Sequence, residues 1–161
     1  MNDALILAAA RLKKELEAQK KTFSVCESIT CGLISAAMGE IPGVSAVFAG
    51  GAVTYMTYVK SILANVSEDH LNKHGAVDPE TARQMCEGIR KKIGTDCAVS
   101  VTGNAGPDPI EDKPTGLVYI GVTDGHRTVV HEYHFTGDRA AIRRKTAEQA
   151  MNDMLELLKR K

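Results

Sequence analysis

Residues 96–103, Asp-Cys-Ala-Val-Ser-Val-Thr-Gly, form a nearly continuous apolar run that ends in glycine. A strand with one solvated face alternates apolar and polar side chains, so a run this uniform must be covered on both faces. The stretch leading into it, "VDPETARQMCEGIRKKIG", is the clearest helix of the chain. Asp78 is placed to cap it, Pro79 takes the first helical position, Glu80 lies in the first turn and Gly94 ends it. A doubly covered strand fed by a helix calls for a sheet with helices on each side.

The rest of the chain agrees. Residues 4–20 place Leu5, Ala8, Ala9, Leu12 and Leu16 at helical spacing, and "TFSVCES" then reads as a short strand. A helix fits Cys31 to Gly39, stopped by Pro42 and Gly43. "AVFAGGAVTYM" reads as β, and its Gly50-Gly51 interruption suggests a bulge or a close backbone approach. "TYVKSILANV" suits a short helix, with Ser67 as N-cap of the next. "NAGPDPIEDKPTG" is a loop, and "LVYIGVTDGHRTVVHEYHF" is two strands joined at Asp124-Gly125. The terminal "DRAAIRRKTAEQAMNDMLELLKRK" is an amphipathic helix, with Met151, Met154, Leu155 and Leu158 expected in the core. Together these predict an α/β fold, a single three-layer α/β/α domain around a mixed β-sheet spanning residues 1–161. A chain of 161 residues suits one such domain.

Lys+Arg and Asp+Glu both number 20. The balance gives no electrostatic reason to expect nucleic acid or an anionic membrane as a partner. Aromatic residues are 4% and Trp is absent, which weakens base stacking further. No apolar run approaches the roughly 18–20 residues of a membrane helix. At the N-terminus the apolar stretch precedes the positive charge, the reverse of a secretory signal, so a cytoplasmic protein is expected. Cys26 and Cys31 are spaced C-x4-C, and Cys86 and Cys97 lie far away, so neither a metal site nor a disulfide is expected. Cys86 and Cys97 suit buried thiols.

In sheets of this kind, ligands gather where strands end and helices begin. Three loops fall there: Glu27–Gly32, Gly50–Lys60 and Thr102–Gly116. Ser28 follows a strand and precedes a helix, where backbone N–H groups and the positive helix end favour an oxyanion. The alternative is that Ser28 or Thr30 only caps that helix. A serine nucleophile needs a base. His74 reads as a turn residue, and His70, His126, His131 and His134 as exposed positions. Lys60 is the other source of a base, with Tyr55, Tyr58 and Val59 able to exclude water and lower its pKa; the alternative is a snorkelling surface lysine. Thr102 and Gly103 end the buried strand. Asn104, Ala105 and Gly106 form either an anion nest of inward N–H groups or a tight turn. Lys113, Arg139, Arg143 and Arg144 could supply positive charge to a phosphate, with Arg139 and Arg143 sharing a helix face.

"ESITCGLISAAM…IPGVSAVFAGGAVTY…K", "HGAVD", "VTGNAGP", "KPTGLVYIGV" and "FTGDRAAIRR", in this order, resemble the CinA C-terminal domain family almost end to end, over roughly residues 5–158. Stand-alone members of that family are nicotinamide-nucleotide amidohydrolases. The resemblance implies deamidation of nicotinamide mononucleotide (NMN) to nicotinic acid mononucleotide and ammonia, with no metal or cofactor. It implies catalytic roles for Ser28, Tyr55 and Lys60. Substrate contacts are expected from Thr30, Gly32, Thr102, Gly103, Asn104, Ala105, Gly106, Arg139 and Arg143, and a homodimer is expected. The chain departs from the family in three places. The usual E-S-C-T-G-G reads Glu27-Ser28-Ile29-Thr30-Cys31-Gly32, which adds a side chain at Cys31. Ser-Asn-Glu-Ala before the lysine becomes Met56-Thr57-Tyr58-Val59, and I-A-G-P becomes Asn104-Ala105-Gly106-Pro107. The alternatives are a mononucleotide-binding domain that has lost catalysis, and an amidase for another amide.

Overall fold

The computed structural model describes residues 2–160. Five strands, β1 (Phe23–Glu27), β2 (Phe48–Val53), β3 (Cys97–Gly103), β4 (Leu117–Thr123) and β5 (Thr128–His134), make one sheet in the order β2-β1-β3-β4-β5. β1 runs parallel to both β2 and β3, whereas β3–β4 and β4–β5 are antiparallel. The expected mixed sheet is therefore present.

Side-chain alternation along the central strands sorts the helices into two layers. Phe23 and Val25 of β1 and Cys97, Val99 and Val101 of β3 face α1 (Asp3–Ala18), α2 (Leu33–Gly39) and α6 (Arg139–Lys159), in one apolar cluster. Met151, Met154 and Leu158 are buried in it, as expected, with Leu155 packed against it. Cys26 and Ala98 point the other way, toward α3 (Thr57–Ala64), α4 (Glu68–His74) and α5 (Pro79–Ile93). On that side the Ser100 hydroxyl donates to the Ala82 carbonyl of α5 at 2.6 Å. The uniform run 97–102 is buried throughout because both faces are covered.

The caps of α4 and α5 fall where the sequence puts them. Ser67 Oγ accepts from His70 N–H, and Asp78 accepts from the N–H groups of Glu80 and Thr81. Gly94 ends α5 at φ +82°. The Gly50-Gly51 interruption is both a bulge and a close approach. β2 slips register between Phe23 and Ser24 of its partner, and a Cβ at Gly51 would lie 2.2 Å from the Val25 carbonyl oxygen.

Four readings need correction. α2 begins at Leu33 rather than Cys31, because Ile29–Gly32 form a turn first. The hairpin loop is Asp124–Arg127, since Asp124 Oδ1 accepts from both His126 and Arg127 N–H and closes a longer turn than Asp-Gly alone. His74 is the last residue of α4 rather than a turn residue. His70 is half-buried, with Nε2 2.8 Å from Asp78 Oδ2, and His131 is also half-buried.

Because β1, β2 and β3 are parallel, their carboxyl ends share one edge of the sheet. The turn after Glu27, the segment Thr54–Met56 and the loop after Gly103 all leave from that edge. This is how three separated motifs meet.

Candidate active site

Ser28 prolongs β1 by one bond, its N–H donating to the Val101 carbonyl at 3.0 Å. The chain then turns, with Cys31 N–H donating back to the Ser28 carbonyl at 3.1 Å. Neither Ser28 nor Thr30 caps α2. The buried carboxylate of Glu27 does: it accepts from the N–H groups of Ile34 and Ser35 and from the hydroxyls of Thr30 and Ser35, all within 3.0 Å. A carboxylate there satisfies free donors and lies at the positive helix end. Ser28 is thus released from capping.

On the far side of the turn, the Arg143 guanidinium donates to the carbonyls of Ile29 (3.1 Å) and Thr30 (2.8 Å). Ile29 N–H shares a peptide plane with the Ser28 carbonyl, held by Cys31 N–H, and Thr30 N–H shares one with the Ile29 carbonyl, held by Arg143; neither donates to a protein acceptor among the described residues. Of the two residues Ile29 lines the cleft, and its N–H is a preset donor beside the serine, of the kind that stabilises a developing oxyanion.

Lys60 comes from α3 and has no exposed surface, although its helix neighbours Tyr58 and Ile62 are exposed. Its Nζ lies 3.1 Å from Ser28 Oγ and 2.6 Å from the Thr54 carbonyl oxygen. Burial lowers the amine from its ordinary 10.5 to about 8, against smaller opposing pulls from Cys26 and Glu111. The adjacent Cys26 thiol is itself pushed up to about 11 by burial. A serine hydroxyl beside a buried lysine whose proton is loosely held is an activated-nucleophile pair.

Tyr55 stands at the mouth of the cleft, 51% exposed, with its hydroxyl accepting from Arg139 at 2.8 Å. Its hydroxyl makes no hydrogen bond to Ser28 or Lys60. Arg139 also donates to the Gly106 carbonyl at 2.7 Å, so it ties α6 to the loop after β3. The cleft has a volume of about 120 Å³. That is smaller than the roughly 300 Å³ at which whole-ligand pockets begin, so it suits the reacting end of a substrate.

Of the expected site residues, Ser28, Tyr55, Thr102, Gly103, Ala105 and Arg139 line this cleft, and Lys60 reaches it through Ser28. The others lie behind it as bracing. Thr30 is bonded to Glu27, and Gly32, at φ +94°, turns the chain into α2. Arg143 holds the serine turn from outside the cleft. The proposed nest is mostly used up: Asn104 N–H donates to Leu117 O, and Gly106 N–H donates to Asn104 Oδ1. Asn104 therefore closes a turn, and only Ala105 N–H keeps no protein acceptor there among the described residues. Lys113 donates to the carbonyls of His74 and Val77, and Arg144 is exposed. Glu27 and Glu111 were not anticipated as site residues. Nothing local marks Glu27, because Ser28 and Thr30 stand nearer the helix start as capping candidates.

Among the described residues no cluster of three or more His, Cys, Asp or Glu is placed to hold a metal, and all four cysteines are free. No helix among them is long and apolar enough to cross a membrane.

A helix-covered mixed sheet with a serine–lysine pair at its parallel edge defines an α/β domain with a cleft at that edge. The chain belongs to the CinA family: the model of the CinA C-terminal domain matches residues 7–158. A CinA-like protein of Endomicrobium trichonymphae is 44% identical over 161 residues, 99% of this chain and 36% of that protein. One from Thermotoga maritima is 41% identical over 145 residues, 89% of this chain and 35% of that protein. The chain thus spans about a third of the length of the curated relatives it matches. The crystal structure of the competence/damage inducible protein CihA from Agrobacterium tumefaciens superposes with TM-score 0.92 at 34% identity, covering 98% of this chain and 97% of that one. A CinA superfamily protein from Klebsiella pneumoniae 700603 gives 0.93 at 28% identity, with 98% of each chain covered.

Proposed function

We propose that this chain is an amidohydrolase that deamidates NMN to nicotinic acid mononucleotide and ammonia. The observation that carries the chemistry is the buried Lys60 amine 3.1 Å from Ser28 Oγ. The substrate rests on the family resemblance. Neutral Lys60 accepts the Ser28 proton as Oγ attacks the carboxamide carbon, and the N–H group of Ile29, which lines the cleft, receives the oxyanion. The resulting ammonium protonates the departing nitrogen, which leaves as ammonia. Water, activated by the same amine, then cleaves the acyl-serine to the acid. The geometry supports direct proton transfer to Lys60, with Tyr55 and Arg139 orienting the substrate at the mouth.

The departures Met56 and Tyr58 are 59% and 63% exposed, so they alter the surface beside the cleft and leave the Ser28–Lys60 pair intact. This favours a working enzyme over a binding domain without turnover. The test is ammonia release from NMN by purified protein, with Ser28→Ala as control. Equal release by both proteins removes the assigned nucleophile. A raised melting temperature with NMN but no turnover selects the binding domain, and release from other amide-bearing nucleotides alone selects another amidase. A homodimer is proposed from the family alone; a monomer mass by light scattering at micromolar concentration refutes it.

A further inference from the structure

The loop after β3 reaches across the cleft at Glu111, and its carboxylate is bound there like a ligand. Oε1 accepts from Ala76 N–H at 2.7 Å and Oε2 from Val77 N–H at 3.0 Å, so two successive backbone donors hold the two oxygens of one anion. The Lys113 ammonium stands 3.5 Å from Oε2 and is anchored on the carbonyls of His74 and Val77. Gly75 completes the cradle: at φ +81°, a Cβ there would lie 2.3 Å from Glu111 Oε2. The site is shaped for an oxyanion lying directly on the backbone.

Two features make this carboxylate a replaceable occupant. Its side chain is 27% exposed. Glu111 and Asp112 both sit at positive φ, +54° and +57°, so the loop holds two non-glycine residues in the left-handed region to keep the carboxylate seated. Ala76, Val77 and Glu111 line the same cleft as Ser28 and Arg139.

We propose that Gly75, the N–H groups of Ala76 and Val77, and Lys113 form an oxyanion subsite for a phosphate monoester, which Glu111 fills until the ligand displaces it. On the proposed reading of the function, on which this assignment of the ligand rests, the monoester is the phosphate of the mononucleotide. A tethered competitor lowers the apparent affinity of an incoming anion by the fraction of molecules in which the site is open. Removing the carboxylate removes that penalty.

The experiment is calorimetric titration of the whole chain with inorganic phosphate at constant ionic strength, with chloride as the control anion. The proteins are wild type, Glu111→Ala, Glu111→Gln and the double variant Glu111→Ala/Lys113→Met. Phosphate is expected to bind Glu111→Ala at least tenfold more tightly than wild type. Glu111→Gln, a neutral and weaker competitor, should fall between them, and the double variant should lose most of the gain. Melting curves establish that each variant folds, and Glu111→Gln carries the comparison if Glu111→Ala does not. Equal phosphate affinity in wild type and the folded Glu111 variants, or a gain indifferent to Lys113, overturns the subsite. Because the titration needs no turnover, that failure is separate from failure of ammonia release from NMN.

Discussion

Ser28 Oγ and the Thr54 carbonyl oxygen are the two hydrogen-bond partners of Lys60 Nζ, at 3.1 and 2.6 Å. Both are neutral oxygens, and no carboxylate hydrogen-bonds the amine. An ammonium has three donors and gains most from an anion, so burial here goes largely uncompensated and the proton is held weakly. In the neutral form, the lone pair can take up the Ser28 hydroxyl proton.

The rate of ammonia release should therefore climb with pH through a single ionisation near 8, the value to which burial brings Lys60, and level off above it. Lys60→Arg places a group there that stays charged at every accessible pH. It should lower kcat/KM by roughly 10²–10⁴-fold, the usual contribution of a positioned base, across the whole profile. A Lys60→Arg protein that keeps most of its activity would make the lysine a fixed charge and place the base elsewhere.

Glu27→Gln tests the cap. Four donors converge on the Glu27 carboxylate, and an amide can satisfy only some of them while presenting its own N–H groups to the rest. Hydrogen bonds to charged groups are worth about 1.5–3 kcal/mol each, and partial rescue by the amide leaves a net loss of roughly 2–4 kcal/mol. For a chain of this size each kcal/mol moves Tm by about 2–4 °C, so calorimetry should show a fall of about 4 °C or more. An unchanged Tm would mean that α2 does not depend on Glu27.

Which of these parts were legible in the sequence follows from how local their causes are. The doubly buried β3, the Asp78–Gly94 limits of α5 and the Gly50-Gly51 bulge each follow from side chains within a few residues of the feature. Ser28 and Lys60 were legible as a pair because parallel strands place their following loops on one edge. The cap of α2 was not, because Glu27 reaches forward seven and eight residues to Ile34 and Ser35 across a turn. Arg143 shows the same limit. Its helix position marks it as a phosphate ligand, but its partners are carbonyls 114 and 113 residues earlier in the chain. The spacing at Asn104–Gly106 reads as an anion nest, but the side chain of Asn104 already satisfies Gly106 N–H.

Cys31 is exposed and sits at φ +48°, in the left-handed region, where the resembled family carries glycine. For an L-residue that conformation costs roughly 1–2 kcal/mol, and glycine returns part of the gain as extra unfolded-state entropy. Cys31→Gly should therefore stabilise the protein by up to about 1 kcal/mol, raising Tm by roughly 2–4 °C. Activity should be unchanged or higher, because the turn that presents the Ile29 N–H group relaxes without moving Ser28. A fall in Tm would show that the Cys31 side chain contributes contacts that outweigh the strain.

The lysine proposed as the base should also weaken the fold in a defined pH window. With its pKa lowered from 10.5 to about 8, Lys60 binds fewer protons in the folded chain than in the unfolded one between those two values. Stability from this group therefore rises with pH from about 8 to 10.5, and below 8 the full penalty is present. At about 1.4 kcal/mol per pKa unit, the penalty near neutral pH is about 3 kcal/mol. Lys60→Met removes the ionisation but also leaves Ser28 Oγ and the Thr54 carbonyl without their donor, so its absolute stability mixes two effects. The pH dependence separates them, because only the first effect varies with pH. Urea unfolding at pH 7 and pH 10 should show the stability of Lys60→Met, relative to wild type, falling by roughly 2–3 kcal/mol over that interval. A difference that stays constant with pH would mean that Lys60 keeps an ordinary pKa in the fold, and the case for it as a neutral base would fall with it.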